Sequence, residues 1–146
     1  MRIEELLEKG FLTKIKKDPK LVKKELREAE YDLEKARLSL EQKDFKWSSI
    51  KAYYSMFHSA RAVLFSIGLK DRRHFAVGMV LEELSKRGKL EVRFIDDFRA
   101  GMSAREDADY RHVYSAETAE YIVDVAGDFL KRMKKLIKNQ KQNSHK

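Results

Sequence analysis

The chain has 146 residues, no cysteine, and 32 Lys and Arg against 24 Asp and Glu, a formal charge of +8 at pH 7. Such a length fits one domain that can bury its own core, and the lack of cysteine excludes disulfides and thiolate chemistry. No run approaches the roughly 18 apolar residues of a membrane span, so a soluble, cytoplasmic protein is expected. The charge gathers at one end, where Lys131, Arg132, Lys134, Lys135, Lys138, Lys141 and Lys146 occur without an acid. A basic end can bind phosphate backbones, but it also complements a helix dipole and favours solubility.

In chain order, Glu4 to Phe11 predicts a short amphipathic helix with Leu6, Leu7 and Phe11 on its sticky side, closed by Gly10. Asp18-Pro19 pairs an N-cap acid with proline at the first helical position. Val22, Leu26, Ala29, Leu33, Ala36 and Leu40 then recur at the 3/4 spacing of one helix face. Asp44 caps a second long helix, in which apolar residues from Trp47 to Ile67 leave little polar circumference before Gly68. A helix apolar nearly all round is buried on several sides, so it is either the central helix or one shared with a second subunit.

A third, shorter helix is expected from a cap near Asp71, through Phe75, Val77, Val80, Leu81 and Leu84, to Gly88. The fourth begins near Leu90 and carries Gly101, which permits a bend or close packing. Ser115 with Glu117 marks a new start, and Ala119, Ile122, Ala126, Phe129, Met133 and Leu136 continue the stripe. Strand signals are missing. The expectation is an all-α, antiparallel up-down four-helix bundle with a short extra N-terminal helix, one domain over 1–138, and a disordered basic tail at 139–146.

The chemistry concentrates in Arg105-Glu-Asp-Ala-Asp-Tyr-Arg-His112-Val-Tyr114. If helix persists from Arg105 to His112, seven steps of about 100° return both side chains to nearly one face. They then stand at the end of the apolar seam Val92, Ile95, Phe98 and Met102. Of the four histidines, His58, His74, His112 and His145, the last sits in the tail. A nucleophile elbow and a phosphate-cradling glycine loop are both absent. The nearest approaches to a di-metal motif, Asp71-x-x-His74 and Asp109-x-x-His112, use the shorter acid, and Asp71 reads as a cap, so no metal or cofactor is expected.

Arg105 with His112 fits metal-free RNA cleavage, with His112 as acid/base and Arg105 stabilising charge on the phosphate. Tyr110 and Tyr114 could stack a base or donate a hydrogen bond. The plainer reading pairs Arg105 with Asp109 as an i,i+4 ion pair that needs no substrate. On the central helix, Tyr54 and His58 could line a polar cleft, although a packed His58 is the simpler account.

Three stretches taken in order, Tyr53-Tyr-Ser-Met-Phe-His58-Ser-Ala-Arg61, Arg73-His-Phe75 with Gly88-Lys-Leu90, and Arg105-Glu-Asp-Ala-Asp-Tyr110, resemble the small stand-alone prokaryotic HEPN-domain proteins. The resemblance runs from about residue 20 to 137. It implies a helical bundle that forms homodimers and is often partnered with a minimal nucleotidyltransferase in toxin-antitoxin operons. Many members are metal-independent ribonucleases whose signature is an arginine, four to six residues, and a histidine. Arg105 and His112 match its upper limit, and His112-Val-Tyr114 looks like the ending of the toxin branch. The resemblance therefore implies Arg105 and His112 as catalytic, with Asp109, Tyr110, Tyr114, Tyr54 and His58 toward the substrate. It also implies an alternative, a non-catalytic module that binds RNA, a nucleotide or a nucleotidyltransferase. Glu106 departs from the family pattern, in which Asn, Asp or His usually follows the arginine.

Overall fold

The computed structural model describes the backbone of residues 1–144 and the side chains through Gln140. Six helices, α1 (Ile3–Glu8), α2 (Pro19–Glu41), α3 (Phe45–Ser66), α4 (Ala76–Lys86), α5 (Val92–Tyr110) and α6 (Ala116–Ser144), account for most of the chain. Two short strands, β1 (Leu12–Lys14) and β2 (Leu69–Asp71), pair antiparallel with Thr13 opposite Lys70. At three residues each they are too short to show the alternation that marks a strand in sequence. The expected disordered tail, 139–146, falls mainly on residues whose side chains or backbone lie outside those described.

The helix starts follow the caps read from the sequence. Asp18 accepts from the Lys20 N–H, Asp44 from Trp47 and Ser115 from Thr118. Gly10, Gly68 and Gly88 each close an element with φ near +75°, a conformation that is inexpensive only without a Cβ. Asp71 is a correction. It caps nothing, because α4 begins five residues later behind Phe75, whose side chain makes no capping bond. The Asp71 carboxylate instead takes both ends of the Arg61 guanidinium, at 3.0 and 3.1 Å.

The core forms around α3, which packs against α2, α5 and α6, while α6 also touches α2 and α5. Its near-continuous apolar circumference is the reason: Ile50, Tyr53, Met56, Phe57, Ala60, Val63 and Leu64 are all buried. Trp47 is the exception, at 45% exposure. Burying a large side chain contributes about 1.5–3 kcal/mol, so α3 is the element that the others assemble on. Its buried serines need partners, and Ser55 Oγ donates to the Ala29 carbonyl of α2 at 2.7 Å. Gly101 sits where α5 crosses α3, its α-carbon turned toward Met56 and Tyr53. Close packing, rather than a bend, is what this glycine permits.

Candidate functional site

Arg105 stands on the last turns of α5, facing α3. Its Nη2 donates to Tyr54 Oη at 2.9 Å and lies 3.5 Å from Asp109 Oδ2. The guanidinium also faces the rings of Tyr54, at 5.4 Å, and Tyr110, at 5.1 Å. The side chain is only 18% exposed, and its buried Nε has no hydrogen-bond partner. Two aromatic faces and one carboxylate hold the cation in place with part of its donor capacity unused. Four of the residues singled out in the sequence, Arg105, Asp109, Tyr110 and Tyr54, are therefore together.

His112 is placed differently. The helix does not persist to it: α5 ends at Tyr110, Arg111 is the C-cap, and His112 has a left-handed φ of +56°. The Asp107 carbonyl accepts from both the Arg111 and the Val113 N–H, at 3.2 and 2.8 Å, which turns the chain off the helix axis. The two side chains are thus not brought onto one helical face, and His112 lies exposed beyond the helix end with Val113 and Tyr114. The cap satisfies the Asp107 carbonyl twice over by turning the backbone, which is the physical reason that the register breaks here.

His58 belongs to a separate charged seam between α2 and α3. Its Nδ1 is 2.7 Å from Glu25 Oε2 and its Nε2 is 3.7 Å from Asp32 Oδ2. The hydrogen bond to Glu25, followed by the charges of Glu25 and Asp32, raises its pKa against the opposing effect of burial. Arg61 continues the seam from Glu25, at 3.9 Å, to Asp71. His58 is a histidine clamped by two carboxylates, not a free group in the cleft.

His74 was not among the residues singled out for the site, yet it is tied to Tyr53, the neighbour of Tyr54 on α3. Its Nε2 is 2.5 Å from Tyr53 Oη, and its ring stacks on Phe57 with centroids 4.1 Å apart and planes 5° from parallel. Burial first, and then the positive charge of Arg105, lowers its pKa. A signal for it existed: a buried tyrosine on a central helix needs a partner for its hydroxyl. Among the described residues no group of three or more His, Cys, Asp or Glu side chains is arranged to hold a metal ion.

Comparison with known proteins supplies the context. The sequence matches the HEPN domain family over residues 22–136. It is 30% identical over 121 residues to a Methanocaldococcus jannaschii protein named "Putative toxin MJ0142", covering 76% of this chain and 82% of the relative. "Putative toxin MJ0605" of the same organism is 31% identical over 112 residues, covering 75% and 84%. The Pyrococcus horikoshii protein named "UPF0332 protein PH1297" is 41% identical over 59 residues, 40% of this chain and 42% of the relative. Among solved structures, TT1696 from Thermus thermophilus superposes with a TM-score of 0.68 at 17% identity, covering 79% of this chain and 97% of that one. The last likeness carries the helical fold alone.

Proposed function

The chain belongs to the HEPN domain family, and from that membership we propose that it is a metal-independent endoribonuclease, the toxin component of a toxin-antitoxin pair, acting as a homodimer. The observation that carries this reading is the end of α5. Arg105 is immobilised there by Tyr54, Asp109 and Tyr110, and the next turn of chain delivers His112 to the surface on a fixed left-handed cap.

RNA supplies its own nucleophile. A base removes the proton of the 2′-hydroxyl, that oxygen attacks the adjacent phosphorus, and the bond to the 5′-oxygen breaks. A proton delivered to the departing oxygen completes a cyclic phosphate and a free 5′-hydroxyl. One histidine takes the first proton and another gives the second, so a chain with one exposed His112 needs its symmetry mate. Arg105 from each copy stabilises the charge that grows on the phosphoryl oxygens. Tyr110 and Tyr114, both at least half exposed, offer faces on which an unstacked base can rest.

The test is incubation of the purified protein with structured RNA in EDTA. Wild type cleaves, whereas Arg105→Ala and His112→Ala each lose activity by about 10²-fold or more. Cleavage that survives both substitutions sinks the assignment. The names of the two Methanocaldococcus jannaschii relatives support the toxin half of the reading.

A second reading has its own observation. Tyr54 and Asp109 already occupy Arg105 Nη2, the arrangement of a module that binds RNA, a nucleotide or a nucleotidyltransferase partner without cleaving. RNA binding that depends on Arg105 without any turnover favours that module.

A further inference from the structure

Tyr53 and Tyr54 are consecutive residues of α3, with rings 5.4 Å apart, and each ties down a polar group from another element. Tyr54 holds Arg105 of α5, and Tyr53 holds His74 from the connection between β2 and α4. Tyr53 is fully buried, and burial pushes its phenol pKa far above the ordinary value. The hydroxyl therefore keeps its proton, and the acceptor within reach is His74 Nε2. A neutral imidazole that accepts at Nε2 carries its hydrogen on Nδ1.

Two features hold the ring neutral. One is burial, in part against Phe57, and the other is the positive charge of Arg105 and Arg61, which outweighs the opposing charge of Asp71. Protonation would set an N–H against the phenol and leave a buried hydroxyl hydrogen without an acceptor, at a cost of tenfold or more in the equilibrium by rough reckoning. Nδ1–H meets no protein acceptor among the described residues, in a residue that is itself exposed.

We propose that His74 is a substrate-positioning residue whose Nδ1–H, oriented by the bond from Tyr53 one residue along α3 from the Tyr54 that binds Arg105, donates to a phosphate oxygen of a bound RNA strand. The proposal rests on the reading of RNA as substrate. Its role differs from that of His112: with Nε2 engaged by Tyr53, the ring neither takes nor gives a proton but holds the strand. A neutral donor suits this place because it adds a hydrogen bond to the phosphate without setting a second positive charge against Arg105.

Amide substitutions separate this role from a merely structural one. In His74→Gln the side-chain carbonyl reaches the position of Nε2 and keeps the bond from Tyr53, but the Nδ1 donor is gone. In His74→Asn the amide nitrogen replaces Nδ1 and the bond to Tyr53 is lost. With a short, uncleavable 2′-O-methyl oligoribonucleotide as probe, His74→Gln should bind about tenfold more weakly than wild type while keeping its thermal stability, and His74→Asn should stay within about threefold. The reverse order, or wild-type affinity in His74→Gln, overturns the assignment.

Arg105→Ala is the control for the underlying reading. If wild type binds no RNA, or Arg105→Ala binds as well as wild type, the RNA reading falls and takes this proposal with it. If only Arg105→Ala weakens binding, His74 alone is wrong. Imidazole nitrogen NMR of the free protein provides a check that needs no RNA: hydrogen on Nδ1 supports the proposal, and hydrogen on Nε2 overturns it.

Discussion

At the scale of single residues, the proposed role of His112 is set against stability. A left-handed φ costs a residue with a Cβ about 1 kcal/mol, and glycine adopts it freely. His112→Gly is therefore expected to raise the unfolding free energy by about 0.5–1 kcal/mol while abolishing cleavage, with urea unfolding and the RNA assay run on the same preparation. A loss of stability would mean that the imidazole makes contacts that the strain argument ignores. This residue also shows where sequence reading stopped. The Arg105 to Asp109 spacing was legible because i,i+4 neighbours on a helix must meet. The turn at His112 was not, because Tyr110-Arg-His-Val-Tyr114 contains no glycine to announce it. Lys43, at φ +62°, ends α2 in the same unannounced way. His74 was missed for a different reason: its partner Tyr53 lies 21 positions earlier, and no local period links a loop histidine to a buried phenol.

At the scale of elements, the α2 and α3 pairing is tied by His58 between Glu25 and Asp32. Its pKa is raised above the ordinary 6.5 in the folded chain, so the folded state holds that proton more tightly than the unfolded one. The stabilisation is complete below about pH 6.5 and is lost as pH rises through the folded value. Asp32, raised by burial, has the same sign at lower pH, since its proton is also held more tightly when folded. His74 has the opposite sign, because its lowered pKa makes acidification below pH 6.5 unfavourable to folding. Thermal melts between about pH 6 and pH 9 should therefore show stability declining upward, and His58→Gln should flatten the decline. An unchanged slope in that variant would show that the clamp contributes nothing.

Gly101 is the second case at this scale. A Cβ there would stand 2.2 Å from Met56 Cε, inside a fully buried side chain. Gly101→Ala gains about 1 kcal/mol of helix propensity but overpacks the α3 and α5 crossing by about 1–3 kcal/mol, so net destabilisation is expected. In a Met56→Ala background the same methyl enters vacated space and should stabilise, a sign reversal that equilibrium unfolding can read. The helix starts were legible from Asp18, Asp44 and Ser115, whose capping chemistry is local. The strand pair was not, since β1 and β2 lie more than 50 residues apart, with α2 and α3 between them, and no local period links such distant segments.

At the scale of the molecule, the sequence placed the positive charge at the C-terminal end, and the fold neutralises part of it. Arg132 binds Glu91 at 2.8 Å, and Lys134 pairs with Glu30 of α2. The basic end is therefore partly a fastening of α6 rather than a free polyanion site. Among the apolar side chains that the fold leaves exposed, Tyr110, Val113 and Tyr114, at 66%, 61% and 50% exposure, fall within five residues at the end of α5 and just after it, and Tyr110 packs against Arg105. If the proposed two-histidine reaction holds, three large side chains left in water at this end of α5 fit a face shared with another copy. Val113→Asp tests this directly. On a free surface such a change alters stability by less than about 0.5 kcal/mol, whereas inside a dimer contact it buries an unpaired carboxylate. Sedimentation should show the variant as a monomer with an unchanged melting temperature at low protein concentration, and its RNA cleavage should fall by about 10²-fold or more, because each His112 has lost its counterpart. A monomeric variant that still cleaves would mean that one chain carries the whole reaction; a dimeric one with full activity would mean that the contact lies on another face.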